Sequence, residues 1–359
     1  MDTSKHLIPQ TATLGQALAS LNALSGQAMT IFVTDGDGIL TGSLTDGDVR
    51  RALLAGASLG NPVTTAMHRK FGHITDSDAP LDTVNRLRNM RNRGIRLVPR
   101  LDAQGHLLDI MDLRLTPTLL PMQAILMAGG KGERLRPMTL TTPKPLLEIE
   151  GKAIIDYNIE ALAACGIKDI TVITRYLAEK IHEHFSRPVA GVNVRCVTEE
   201  APLGTIGGAR LADGLDSDGN TLVMNSDLLT TISYEDMFLR HSAEDADVTV
   251  AVIPYQVSVP FAILTTDGPR VTGIAEKPSY SYYANAGIYI FRNELLAKLP
   301  TDTRTDATDL IEQVIARGGR VVYHPVNGTW IDVGSPTDFR QATELMRHHR
   351  NLSANQTQL

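Results

Sequence analysis

Cysteine is scarce in this chain, with two among 359 residues, Cys165 and Cys196, and no C-x-x-C pair. That excludes a disulfide framework and a four-thiolate zinc site, and both read as reduced, small apolar residues. Aromatics make up 5%, there is one Trp, no Tyr precedes Tyr157 and no Glu precedes Glu133. Long hydrophobic runs are missing too: the stretch from Ala124 stops far short of the ~20 residues a membrane span needs, so no membrane association is expected. The opening Met1-Asp2-Thr3-Ser4-Lys5-His6 is polar and no signal-type apolar region follows, which makes the cytoplasm the expected compartment. A basic excess is also lacking. Lys and Arg number 34 against 40 Asp and Glu, for a net charge of −6, so nucleic acid is not an expected partner.

What is present is 43% apolar residues over a length that suggests about two domains at roughly 150 residues each. Composition shifts part-way. Residues 1–120 hold 12 basic residues and 11 Asp, whereas the remainder holds 22 basic and 29 acidic, so the acidity belongs to the second part. Thr116-Pro117-Thr118-Leu119-Leu120-Pro121 lies where the change occurs, and its prolines interrupt regular structure. The expected division is 1–118, 122–349 and a polar tail, 350–359.

The first segment reads as helix (13–22), strand (30–33), the turn Asp35-Gly36-Asp37-Gly38, strand (39–44) and helix (46–54). Most of this recurs as helix 81–90, extended 94–99, turn 102–105 and extended 106–111, an internal repeat of α/β units sharing a core. Val33-x-Asp35-x-x-Gly38-x-x-x-Gly42-x-x-Thr45-x-x-Asp48 resembles the signature of the paired cystathionine-β-synthase (CBS) repeats. That resemblance implies a regulatory pair in which Thr45 and Asp48 hold an adenine or guanine nucleotide. The same two residues also fit a plain helix cap. Arg86, Arg88, Arg91, Arg93, Arg96 and Arg100 read either as a solvated helix face or as a site for phosphates or acidic surface.

In the second segment Met122 to Ala128 reads as a buried strand, followed at once by Gly129-Gly130-Lys131-Gly132. Glycines after a strand let backbone N–H groups approach phosphate oxygens. Leu135 stands where a dinucleotide fingerprint needs its third Gly, and no Gly-Lys-Ser/Thr closes the loop, which argues against hydride transfer and P-loop chemistry. Lys131, Arg134, Arg136 and Lys144 then gather positive charge among glycines and prolines.

These residues, with Leu135-x-Pro137-x-Thr139 and Pro143-Lys144-Pro145, closely resemble the sugar-1-phosphate nucleotidyltransferases, from which Glu133 departs where Thr or Ser is usual. Further segments resemble that family in order: Glu199-Glu200-Ala201-Pro202-Leu203-Gly204-Thr205, Asn225-Ser226-Asp227, Glu276-Lys277-Pro278, Asn285-Ala286-Gly287, and Trp330-Ile331-Asp332. The resemblance implies a Rossmann-like, doubly wound mixed α/β sheet of the GT-A-like kind. It implies nucleotide contacts from Ala128, Gly129, Gly130, Lys131, Gly132, Glu199, Pro202, Gly204 and Thr205. It gives the sugar phosphate to Asn225, Glu276, Lys277, Asn285 and Gly287, with Lys277 on the phosphate. Arg134 would hold the departing pyrophosphate and Lys144 the α-phosphate, while Asp227 and Asp332 would bind Mg2+ as hard oxygen ligands.

The implied substrates are a nucleoside triphosphate, GTP first and dTTP or UTP as alternatives, and a sugar 1-phosphate for cell-surface glycans. A homo-oligomer is expected, and a regulatory subunit that senses nucleotide sugars without catalysis is the rival reading. The strand-helix alternation agrees with the fold: strands at 122–128, 169–174, 192–197 and 220–226, and helices near 153–165, 176–186 and 205–213. A last helix is expected over Asp338–Arg350.

Overall fold

The computed structural model describes residues 2–215 and 218–356, with side chains through His348. The chain forms two compact units, Met1–Leu120 with Ala164–Gly166, and Pro121–Ala163 with Ile167–Leu359.

The first unit is built from a repeated β-α-β-β pattern. Its first copy comprises β1 (Leu7–Pro9), α1 (Leu14–Ala23), β2 (Thr30–Thr34) and β3 (Leu40–Thr45), followed by α2 (Asp46–Leu54). The second comprises β4 (Ile74–Thr75), α3 (Pro80–Asn92), β5 (Leu97–Leu101) and β6 (Leu107–Asp112), with a turn in place of a closing helix. In each copy the first strand pairs parallel with the second and the second antiparallel with the third. The hairpin turns repeat atom for atom: Asp35 Oδ1 accepts from the N–H groups of Asp37 and Ile39, and Asp102 Oδ1 from those of Gln104 and His106. Such an Asx turn competes with regular structure and fixes the hairpin's reversal. The arginine-rich stretch is largely neutralised within the unit. Arg86 pairs with Asp78, Arg96 with Asp112, and Arg100 with Asp76 and Asp109.

The second unit begins with β7 (Met122–Ala128), β8 (Glu148–Ile149) and β9 (Lys152–Ala153). It continues through α4 (Ile154–Ala164), β10 (Ile170–Thr174), α5 (Ala178–His184), β11 (Arg195–Thr198), β12 (Asn220–Asn225), β13 (Leu228–Thr230) and α6 (Tyr234–Ala243). Then come β14 (Val248–Ser258), β15 (Ile263–Asp267), β16 (Arg270–Ala275), β17 (Ser279–Arg292), α7 (Asn293–Ala297) and α8 (Ala307–Ala316). The last elements are β18 (Val321–Pro325), β19 (Trp330–Asp332) and α9 (Pro336–Gln356).

Seven strands form one mixed sheet in the order β11-β10-β7-β12-β17-β14-β18, in which β17 alone runs against its neighbours. Successive side chains point to opposite faces of a strand. Ile125, Ile173 and Val223 are buried on one face with Leu296, Leu310 and Val314 of α7 and α8, while Leu126, Val172 and Leu222 are buried on the other. A sheet covered on both sides explains why these strands read as continuous apolar runs.

Three expectations need adjusting. The helix expected over 205–213 is a 3-10 turn, Gly207–Leu211, because Gly207 and Gly208 are poor helix formers and each packs closely against its neighbours. The helix expected over 176–186 shortens to Ala178–His184, since Leu177 takes a left-handed conformation at its start. The final helix runs to Gln356, so residues 350–356 continue it instead of forming a separate tail, with no Pro or Gly to stop it. Residues 357–359 lie outside the described residues.

His241 on α6 is buried, its Nε2–H donating to Asn220 Oδ1 (3.0 Å) and its Nδ1 accepting from the Thr249 hydroxyl (2.8 Å). Burial, reinforced by the Arg292 charge, pushes its pKa down to about 4 from 6.5. The unfolded chain therefore takes up this proton first on acidification. Its contribution to stability is complete above pH 6.5 and is lost as pH falls towards 4, by up to roughly 3 kcal/mol. Chemical denaturation between pH 7 and 4 should show the wild type losing more stability than His241→Gln, and parallel pH curves would refute this.

Candidate active site

The ends of three strands converge on one cavity. At the end of β7, Ala128 is buried and the chain turns into Gly129-Gly130-Lys131-Gly132. Gly132 has φ +60°, and a Cβ there would press against Thr139 Cγ2 (3.0 Å) and Lys144 Cβ (3.2 Å). The Thr139 hydroxyl donates to the Gly132 carbonyl at 2.8 Å, and the Tyr176 hydroxyl in turn holds the Thr139 carbonyl at 2.9 Å. The loop is thus fixed from behind while Gly130 has nothing within 4 Å of where a Cβ would stand. Lys131, Glu133 and Arg134 are exposed, and Glu133 pairs with Arg136 at 3.7 Å.

Glu199 follows β11 and is buried between two glycines. A Cβ on Gly129 would stand 2.7 Å from its Oε1, and one on Gly208 2.9 Å from its Oε2. Arg175 Nε reaches its Oε1 at 3.2 Å, while Oε2 has no hydrogen-bond partner among the described residues. Burial pushes the Glu199 carboxyl up, against the pull of the Leu203 N–H and Arg175. Beyond it Gly204, at φ +88°, packs so tightly that a Cβ would lie 2.4 Å from the Thr305 carbonyl oxygen. Thr205 is anchored on the start of α8: its N–H donates to Asp306 Oδ1 (2.9 Å) and its hydroxyl accepts from the Ala307 N–H (2.8 Å).

The third strand end supplies the carboxylates. β13 pairs antiparallel with β19, setting Leu228 opposite Asp332, so Asp227 and Asp332 become neighbours across 105 residues of sequence. Lys144 Nζ contacts Asp227 Oδ2 and lies 3.2 Å from Asp332 Oδ1. The Lys144 side chain is 11% exposed, that of Asp227 22% and that of Asp332 40%. Burial pushes the Asp227 carboxyl up; Lys144 opposes the shift and Asp332 adds to it. Among the described residues, Asp227 Oδ1 is buried without a hydrogen-bond partner. Asn158 on α4 donates to the carbonyls of Leu228 (2.9 Å) and Ser226 (3.4 Å), and the Ser226 hydroxyl donates to the Met127 carbonyl (2.7 Å), locking the backbone on either side of Asp227.

The resulting cavity, about 360 Å³, is walled by Met127, Gly129, Gly130, Glu199, Pro202, Gly204, Thr205, Asn225 and Asp227, together with Arg175, Arg304 and Asp306. Gly287, at φ +71°, abuts Asn225 Nδ2, which would be 2.6 Å from a Cβ there. Asn285 Oδ1 accepts from the Gly287 N–H at 2.9 Å, so these two stand beside the Asn225 wall. Arg134 reaches the segment that follows β19, its Nη2 3.1 Å from the position of a Gly334 Cβ. Glu276 and Lys277 lie exposed in the turn between β16 and β17 and are not part of the cavity lining; Lys277 has φ +43°. In the first unit, Asp48 is 5% exposed and its carboxylate is taken up by the Thr45 N–H (2.8 Å), the Thr45 hydroxyl (2.5 Å), Arg51 and His68 (2.7 Å).

Sequence reading missed Arg175, Arg304, Asp306 and Asn158. Arg175 sits just past the end of β10, where a doubly wound sheet exposes its ligand side, and Asp306-x-x-Asp309 carries a capping-box pattern, so both left a signal. Asn158 left none, because in α4 it stands between Asp156 and Glu160 and the pattern does not single it out from them.

The model of the nucleotidyl transferase family matches residues 123–349. The chain belongs to the nucleotidyl transferase family. Among curated relatives of this nucleotidyl transferase, mannose-1-phosphate guanylyltransferase catalytic subunit beta of Danio rerio is 31% identical over 229 residues, covering 61% of this chain and 62% of the relative. Mannose-1-phosphate guanyltransferase of Neurospora crassa is 30% identical over 233 residues, covering 62% and 64%. The chain therefore spans less than two thirds of the length of these relatives. The crystal structure of HddC from Yersinia pseudotuberculosis complexed with GMP-PN is 23% identical and covers 63% of this chain and 99% of that one, with a TM-score of 0.49.

Two substitutions probe the scaffold. Gly204→Ala places a methyl group against a backbone carbonyl in a left-handed conformation and should cost about 1–3 kcal/mol. Asn158→Ala leaves two buried carbonyls unpaired and should cost a similar ~1–3 kcal/mol. Denaturant midpoints measure both, and unchanged midpoints would count against the packing described.

Proposed function

We propose that this chain transfers a nucleotidyl group from a nucleoside triphosphate, GTP before others, to a sugar 1-phosphate, forming a nucleoside-diphosphate sugar and pyrophosphate. The carrying observation is a cavity on which Gly129 and Gly130 meet Asp227, a carboxylate that Lys144 bridges to Asp332. A phosphate oxygen of the sugar attacks the α-phosphorus, and the bond from that phosphorus to the oxygen bridging towards the β-phosphate breaks. The nucleophile is already an anion, so no general base is required; the obstacle is repulsion between polyanions, met by positioning and positive charge. The loop N–H groups would face the phosphates, Lys144 the α-phosphate and Arg134 the departing pyrophosphate, with Glu199, Pro202, Gly204 and Thr205 on the nucleotide side and Asn225, Asn285 and Gly287 on the sugar side. Glu276 and Lys277 complete the sugar-phosphate site in this reading, for which their turn must approach the cavity.

Asp227 and Asp332 fit Mg2+. They offer hard oxygens, and one of them, Asp227 Oδ1, is buried and unpartnered. No cluster of three or more His, Cys, Asp or Glu occurs among the described residues, in keeping with a cation that retains waters and phosphate oxygens. Bound there, the metal would supply charge neutralisation for the phosphates. GTP and mannose 1-phosphate are the first substrates to test, because the curated relatives are named for them; the product's use in cell-surface glycans and a cytoplasmic setting go with this reading.

For the first unit we propose nucleotide sensing. Support comes from a cavity of about 500 Å³ whose lining includes Phe32, Thr45, His68, Lys70, Phe71 and Arg93, a combination of apolar rings, hydroxyl and cations suited to a base and its phosphates. Asp48 would act by holding Thr45 and His68 on that wall. A homo-oligomer remains part of the proposal.

Pyrophosphate release across four nucleoside triphosphates and several sugar 1-phosphates tests the reaction, with GTP and mannose 1-phosphate expected to lead. Asp227→Asn and Asp332→Asn should each lower turnover at least about 100-fold, the scale of several kcal/mol of lost charge stabilisation. Absence of turnover with every pair would favour a non-catalytic sensor. Titrating AMP, ATP and GTP while following rate and Tm tests the first unit, and no response in either leaves it a structural role.

A further inference from the structure

We propose that Lys144 is a tethered counter-cation: in the substrate-free protein its ammonium stands between Asp227 and Asp332 in place of a divalent cation, and it yields that place when a phosphate in the glycine loop draws it away. The inference rests on reading these two carboxylates as the metal site. It adds that free metal is held off and that metal and nucleotide enter together.

Geometry carries the argument. A single ammonium, almost out of solvent, contacts an oxygen of each carboxylate. One positive charge faces two carboxylates, and Asp227 Oδ1 stays buried without a hydrogen-bond partner among the described residues, so the lysine compensates the pair only in part. A divalent cation arriving alone would have to share the space between the two carboxylates with the ammonium, and repulsion between them opposes its binding.

The root of Lys144 is fixed. Pro143 and Pro145 flank it in a 3-10 turn, and its Cβ lies against Gly132. Its head, on a flexible four-carbon stem, can swing without backbone movement. Because Gly132 belongs to the phosphate loop, an anion seated on that loop offers the ammonium a new partner a short swing away. Metal and nucleotide then favour each other's binding by the same factor.

Mn2+ serves as the probe, its binding followed by electron paramagnetic resonance on the full chain, with Tm confirming that each variant is folded. Without nucleotide, Lys144→Met and Lys144→Gln should bind Mn2+ at least about tenfold more tightly than wild type, the effect of losing one charged contact of this kind. Lys144→Arg, which keeps the charge, should remain close to wild type. With a non-hydrolysable GTP analogue present, the advantage of the uncharged variants should disappear. Equal Mn2+ affinity of wild type, Lys144→Met and Lys144→Gln without nucleotide would overturn the counter-cation role. If no protein, wild type included, bound Mn2+ even with the analogue, the metal reading beneath it would fall as well.

Discussion

The Asp227 carboxylate is half-buried at a strand end with Oδ1 shut off from solvent, and burying charge is costly, so its surroundings must supply both charge and rigidity. Charge comes from Lys144, whose position between two prolines leaves its root little freedom. Rigidity comes from three directions: Asn158 holds the carbonyls on either side, Ser226 ties the segment to β7, and β19 pairs with β13. That last pairing also delivers Asp332. An acidic pair assembled from distant segments therefore depends on a three-residue ladder, and the apolar cluster of Leu135, Leu229, Ile331 and Val333 beneath it fixes that ladder to the rest of the unit.

The opposite wall of the cavity is shaped by what is removed. Gly129 and Gly208 close on the Glu199 carboxylate from two sides, and any side chain at either position would displace it. Gly204 lets the Glu199–Thr205 segment rest directly on the backbone before α8, where the Thr205 N–H donates to Asp306 and its hydroxyl accepts from the Ala307 N–H. These contacts hold the wall in place before any ligand arrives, which lowers the entropy lost on binding.

Much of this was legible in the sequence and some was not, for identifiable reasons. Apolar runs announced β7, β10 and β12 because both faces of the sheet are covered, and the glycine loop announced itself by following a strand. The short 3-10 turn at Gly207–Leu211 was read as a helix because apolar spacing cannot report that two glycines are there for close packing. Arg304 stayed hidden, and Asp306 showed only as a helix cap, since both reach the cavity through the docking of the start of α8 on Thr205, 101 residues before Asp306. Motif resemblance gathered Asp227 and Asp332, yet it said nothing about Lys144 lying between them. That follows from three-dimensional proximity of groups whose separate roles were each drawn from the motif.

The first unit shows the converse. Thr45-x-x-Asp48 admits a ligand or a cap, and in the fold Thr45 and Asp48 form a reciprocal cap at the start of α2. Hydrogen bonds from Thr45, Arg51 and His68 hold the Asp48 carboxyl below its usual range despite its burial. An acceptor so fully engaged has nothing left to offer a ribose without giving up a partner. Its consequence is structural, because fixing Thr45 and His68 sets the wall of a cavity lined also by Lys70, Arg93 and Arg96. The same carboxylate chemistry thus differs between the two units: at Asp48 both oxygens are saturated with donors and build structure, whereas at Asp227 one buried oxygen has no donor among the described residues.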